Sequence, residues 1–267
     1  MSNNKKIQQN PFLISAVAAV CILAASGAGN AASFDGSIPL ANTNSTSVQR
    51  GVSTFTTANV NPISTWHGVS YEEWTQRWWQ WLYSIPLGVN PWKDTTGAQC
   101  GINQNGSVWF IGGSLGSTFS VSCTIPKGKA ILAPIIDVNN DYPCPVPNFE
   151  PATGQSLKDF LTTGGNGFWG ATQYIEGAAV PVHTAELDGK PLHELRITSG
   201  LFSFTGAANL ATPTTDPCVT GSPQVGVSDG YFLFIEPLSV GHHTLHIHSE
   251  SSGWGISDGT YNLNITQ

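Results

Sequence analysis

Gly241-His242-His243-Thr244-Leu245-His246-Ile247-His248 and Thr260-Tyr261-Asn262-Leu263-Asn264-Ile265-Thr266 decide the fold, because both stretches alternate with a period of two. Residues two apart in a strand share a face, so His242, Thr244, His246 and His248 line one side and His243, Leu245 and Ile247 the other. The second stretch agrees in phase, with Tyr261, Leu263 and Ile265 inward and Asn262 and Asn264 outward. Working back along the chain, residues 231–236, 130–138, 119–124 and 107–111 are rich in β-branched and aromatic residues, punctuated by Gly112-Gly113 and Pro126-Lys127-Gly128. Residues 184–187 and 192–198 read as a hairpin, joined by an Asp188-Gly189 pair suited to the positive φ angles of a tight turn. These signals predict a mainly β protein, an antiparallel β-sandwich-like domain.

One segment breaks the pattern. Ser70-Tyr71-Glu72-Glu73 has the form of a capping box, the Ser70 hydroxyl accepting from a free backbone N–H and Glu73 reaching back. The helix it starts is stopped by Pro86. Tyr71, Trp74, Trp78, Trp81 and Leu82 recur every three or four residues and share one face; Gln76, Arg77, Gln80 and Tyr83 tend elsewhere, and Trp79 is left over. A brief helix over 155–161 is closed by Gly164-Gly165.

Ahead of this lie two segments of different character. Residues 1–32 read as a signal peptide: Lys5 and Lys6, an apolar run over 12–25, then Gly29-Asn30-Ala31-Ala32, with cleavage expected after Ala31 or Ala32. The run is shorter than the roughly 20 residues that span a bilayer, and Val20 before Cys21 argues against lipid attachment. Residues 33–65, rich in Ser, Thr, Asn and Ala, form an expected flexible arm, and 66–267 a single disulfide-bearing β domain. The mature protein is thus expected in the periplasm or outside the cell.

Composition agrees. Charged residues make up 10% of the chain, and ten Lys and Arg against 17 Asp and Glu give a net charge of -7. With no basic cluster beyond the leader, this charge argues against nucleic acid or anionic membrane as the partner, and no later segment is apolar enough to span a membrane. Outside the leader, Cys100, Cys123, Cys144 and Cys218 make an even set, which in an exported chain favours two disulfides. Three pairings are open. Cys100 with Cys123 is favoured because strands and tight turns lie between them, and Cys144 with Cys218 because both sit in Pro-rich loops. No Cys-x-x-Cys spacing supports a zinc site.

The run Trp74-Thr75-Gln76-Arg77-Trp78-Trp79-Gln80-Trp81, residues 94–100, Val108-Trp109-Phe110, Cys123-Thr124-Ile125-Pro126-Lys127-Gly128-Lys129 and Gly241-His242-His243-Thr244-Leu245-His246 resemble a group of uncharacterised exported bacterial proteins with a Trp-rich N-terminal helix. The resemblance covers most of the chain from about residue 70. It implies export and a disulfide-bearing β fold, and carries over no catalytic residues.

Four sets of residues could carry chemistry. His242, His246 and His248 on one strand face, with Asp258 or Glu250 from an adjoining loop, are candidate ligands for zinc or copper; the plainer reading is a polar sheet surface that contains histidines. Asp137-Val138-Asn139-Asn140-Asp141 has the oxygen-rich spacing of a calcium loop but not the glycine and glutamate of an EF-hand, leaving at most a looser calcium site. Gly112-Gly113-Ser114-Leu115-Gly116 matches a nucleophile-elbow pattern, with Asp188 or Asp229 and His243 to complete a triad, yet a strand follows where that elbow needs a helix. Trp79, Trp92, Trp169 and Trp254 are off the core stripe and are candidate sugar platforms, Trp254 between two glycines.

The leading reading is a secreted or periplasmic non-catalytic binding or surface-structural protein, for carbohydrate or another envelope component. Its alternatives are a metal-dependent enzyme or metal-binding protein using the histidine strand, and a serine hydrolase using Ser114. Self-assembly is a further expectation, through an arm strand donated to a sheet edge.

Overall fold

The computed structural model describes residues 65–113, 118–177, 182–207, 209–210, 218–251 and 255–267. The leader, all of the arm but Thr65, Ser114 and Trp254 lie outside them. The chain forms β1 (Thr65–Trp66), β2 (Val69–Ser70), α1 (Tyr71–Ser84), β3 (Val108–Phe110), β4 (Thr118–Pro126), β5 (Ala130–Tyr142), α2 (Leu157–Thr163), α3 (Ala171–Gly177), β6 (Val182–Leu187), β7 (Lys190–Pro191), β8 (Leu195–Thr198), β9 (Phe202–Thr205), β10 (Pro223–Ile235), β11 (Gly241–Ser251) and β12 (Gly255–Thr266).

Two five-stranded sheets result. The inner sheet runs β3-β5-β10-β8, with β9 also on β10; the outer sheet runs β4-β12-β11-β6-β7. The predicted mainly β class is correct, though β3 on β5 and β4 on β12 pair in parallel, so the sheets are mixed. Residues from the facing sides, among them Ile131, Ala133, Leu233, Leu245, Tyr261 and Leu263, pack as one core. Helix α1 covers the opposite side of the inner sheet, its aromatic rings meeting Phe110, Leu132, Phe232 and Phe234 in a second core. Where β5 and β10 run on past the outer sheet, α2 and α3 cover the exposed end in a third.

Helix α1 begins as expected: the Ser70 hydroxyl accepts from the Glu73 N–H at 3.1 Å. Glu73 does not reach back, however, because its carboxylate takes the Arg77 guanidinium instead. Trp79 and Tyr83, set apart from the core stripe, are 0% exposed. The apolar face of the helix is wider than a single stripe because Trp92, from a 3-10 turn over Pro91–Lys93, packs on both rings.

The hairpin expectation was half correct. Asp188 and Gly189 adopt φ of 53° and 73° in the turn, but the return strand is short: Lys190 and Pro191 pair back on β6 and the Leu192 N–H donates to the Ala185 carbonyl at 2.8 Å. The chain then crosses, and β8 joins β10 in the inner sheet. Both disulfides form as favoured, Cys100–Cys123 and Cys144–Cys218. The expected calcium loop at Asp137 is not a loop. Residues 137–141 continue β5 in register with β10 and are buried, so no open loop exists there for a hydrated ion.

Candidate functional site

The outward face of the outer sheet gathers most of the residues singled out from sequence. Strands β11 and β12 pair over eleven positions without a shift, and β6 and β4 continue the register on either side. Outward side chains therefore stand in ranks across the sheet. One rank is Thr124, Asn264 and His242; the next Ser122, Asn262 and Thr244; then Ser120, Thr260, His246 and Glu186; then Thr118, Asp258, His248 and Thr184. Neighbouring strands lie about 4.8 Å apart and ranks about 7 Å apart. On β4, β12, β11 and β6 every position in these four ranks carries a hydroxyl, amide, imidazole or carboxylate, and Pro191 of β7 ends the third rank beside Glu186. A fifth rank changes character: Val182 and Ile256, 38% and 59% exposed, flank Glu250.

The imidazoles on this face turn onto carboxylates. His246 Nε2 lies 2.6 Å from Asp258 Oδ1, and His248 lies 3.1 Å from Glu250 Oε1 and 3.6 Å from Asp258 Oδ2. The His246 hydrogen bond, against a smaller desolvation cost, holds the Asp258 carboxyl below its usual range. His242 stands apart, opposite Asn264. It stands four positions along the strand from His246, about 13 Å, so His242, His246, His248 and Asp258 do not form the single ligand set expected. Among the described residues no group of three His, Cys, Asp or Glu is placed to hold a metal ion. Asp258 itself lies within β12 rather than in a loop.

His243, on the opposite side of the same strand, meets one of its two expected partners. Its Nδ1 lies 2.7 Å from Asp188 Oδ2, and its Nε2 lies 3.3 Å from Ser239 Oγ and 3.0 Å from the Ser239 carbonyl oxygen. The connectivity is that of a Ser-His-Asp triad. The Asp188 carboxylate and the Ser239 carbonyl only accept, so these two contacts favour the imidazolium. Burial opposes that charge, while the bonds to Asp188 and Ser239 and the charge of Asp188 outweigh it and raise the His243 pKa. As the imidazolium the ring cannot take a proton from Ser239. The trio is instead a clip that ties the β6–β7 turn to the segment before β11. Asp188 adds to it by accepting from the Thr244 N–H at 2.8 Å. Ser114 lies outside the described residues; Gly113 before it lines a small hollow with Phe119, Ile135, Ile247, Ser257 and Tyr261 among its walls.

The tryptophans mostly serve the core. Trp79 and Trp92 are 0% and 3% exposed and offer no ring face to a ligand. Trp169 is half-buried, edge-on to Tyr174 at 5.5 Å, and its ring closes over Gly177.

One cluster went unread in the sequence. Arg196 holds the fully buried Asp229 at 2.7 Å and Glu176 of α3 at 3.2 Å, while Thr198 donates to the second Asp229 oxygen. Nearby, His183 pairs with Glu194 at 3.1 Å and lies against the Tyr231 ring at 4.2 Å. Glu194 and Arg196 at a spacing of two already shared a face; their partners, 11 to 33 positions away, carried no local signal. With Arg196 engaged by two carboxylates, this cluster ties α3 and β8 to β10.

Comparison with known proteins adds no relative: no family model, curated protein or solved structure matches the chain.

Proposed function

We propose that the mature chain is an exported, non-catalytic binding protein that holds an extended carbohydrate of the cell surface or its surroundings on the outward face of the outer sheet. The observation that carries this reading is the set of four polar ranks. A glycan presents hydroxyls that both donate and accept, and Ser, Thr, Asn and His side chains on regularly spaced strands meet them with the same dual capacity. The unbroken register of β11 and β12 fixes these groups before a ligand arrives, which limits the ordering cost of binding. The Val182 and Ile256 rank supplies an apolar border suited to the C–H face of a sugar ring.

Export is supported by the signal-like leader and by two disulfides, which persist in oxidising compartments. No helix among the described residues is long and apolar enough to cross a membrane.

The test uses the mature protein and a panel of soluble polysaccharides in affinity electrophoresis. At least one polysaccharide is expected to retard the wild type, and Asn262→Ala with Thr244→Ala, both exposed, should abolish the retardation without moving the thermal midpoint. Retardation that survives the double substitution places binding elsewhere.

A further inference from the structure

Strand β5 carries three polar residues, Asp137, Asn139 and Asp141, on the side facing α1, while Ile136 and Val138 face α2 and α3. The sidedness is fixed by the Asn139 amide, which points its Nδ2 at the Tyr83 hydroxyl of α1 at 3.5 Å, and by Asn140, which turns the other way to the carbonyls of Leu161 and Trp169. An irregularity in the β5–β10 register at Tyr231/Phe232 produces this switch of phase.

Asp137 and Ser228 are 0% exposed and Asn139 1%. Among the described residues, both Asp137 carboxyl oxygens, the Asn139 Oδ1 and the Ser228 hydroxyl have no hydrogen-bond partner. An ionised carboxylate in such a place would cost several kcal/mol. Glycines make the arrangement fit. Asp137 stands opposite Gly230, where an added Cβ would come 2.5 Å from the Asp137 Cβ, and a Cβ at Gly226 would come 2.5 Å from the Asn139 Oδ1. Two glycines inside a 13-residue strand weaken it. Here they make room for buried polar groups.

We propose that Asp137 is a proton-operated latch between α1 and the inner sheet: as the neutral acid it lets the helix seat, and as the carboxylate it drives the helix off so that water can reach it. Among the described residues no opposite charge faces Asp137 from the elements packed on it. Strand β10 offers Gly226, Ser228 and Gly230; α1 offers the Tyr83 phenol beside Asn139; Ser199, beyond β8, accepts from the Ser228 N–H. Asp141, two ranks along, accepts from Gln224 at 3.3 Å. Arg196 and Asp229 belong to the other side of the sheet. Burial alone raises the Asp137 pKa well above the ordinary carboxyl range, so the closed state keeps a proton that the open state loses above about pH 4.

Hydrogen exchange of the α1 amides across pH 5 to 9, as protection factors that remove the intrinsic pH dependence, tests the latch. From pH 5 upward protection is expected to fall about tenfold per pH unit, because one proton leaves on opening, and to level off once pH passes the raised pKa of Asp137; in Asp137→Asn the slope should vanish while the protein stays folded. The slope should persist in His243→Gln, which removes the histidine whose raised pKa also weakens the fold as pH rises from neutrality. Should Asp137→Asn fail to fold, infrared spectra of the wild type decide: a protonated-carboxyl C=O band at pH 7 that disappears as α1 protection is lost supports the latch. A flat wild-type profile, an unchanged slope in Asp137→Asn, or no such band at pH 7 overturns it.

Discussion

At the scale of single residues, charge is used sparingly and mostly inside pairs. The clip of Asp188, His243 and Ser239 has a definite sign with pH. His243 gains its partners only in the folded state, where its pKa is raised. Its contribution is therefore complete below the unfolded value near 6.5 and disappears as pH rises through the folded one. Thermal midpoints of wild type and His243→Gln should accordingly converge toward high pH and separate toward pH 6; parallel curves would rule out the imidazolium. Asp188 works in the opposite direction. Although burial opposes it, hydrogen bonds from His243 and Thr244 lower its pKa, so its share is present above about pH 4 and lost in acid. The Arg196–Asp229 pair makes a larger claim, since Asp229 is fully buried. Arg196→Met strands that carboxylate, and denaturant unfolding should show a loss of about 3 kcal/mol. Arg196→Met combined with Asp229→Asn should recover part of it.

At the scale of elements, α1 contributes most to the core for its length. Trp78 is fully buried and its indole N–H donates to the Ile111 carbonyl at 2.7 Å. Trp78→Ala is expected to cost about 4 kcal/mol in denaturant unfolding, combining a cavity with an orphaned acceptor, whereas Gln80→Ala, on the exposed side, should cost under about 1 kcal/mol. What was legible in sequence follows the same division. The Trp spacing revealed α1, and the alternation of 243–248 and 260–266 revealed β11, β12 and the side their histidines occupy. The far half of β5 escaped because Asp137-Val138-Asn139-Asn140-Asp141 has the composition of a loop, and only burial between α1 and the α2–α3 pair makes it strand. Helix α3 and strand β9 are too short to establish a period. Trp79 and Tyr83 were misplaced because a single stripe was assumed, while Trp92, a few residues on, gives the helix a second covered side.

For the whole molecule, three layers are held by contacts between distant parts of the chain, and the two disulfides close loops of unequal length. Cys144–Cys218 joins residues 74 apart and Cys100–Cys123 residues 23 apart. In the chain-entropy account the longer loop is worth about 4 kcal/mol and the shorter about 3 kcal/mol. Replacing both cysteines of each pair by serine should lower stability in that order, and the reverse order would show that strain or residual structure dominates. The outer face bears few apolar groups and almost no lone charge, and helix and inner sheet stabilise it from behind without entering it. Substitutions there should be nearly neutral for folding and decisive for binding, a separation that a purely structural surface would not show. The most direct test is affinity electrophoresis of the mature wild type and the Asn262→Ala, Thr244→Ala double variant in polysaccharide-containing gels. Retardation of the wild type that the double variant loses, with equal thermal midpoints, is the predicted result; equal mobility of the two proteins in every polysaccharide would contradict the assignment of the outer sheet as a glycan-binding face.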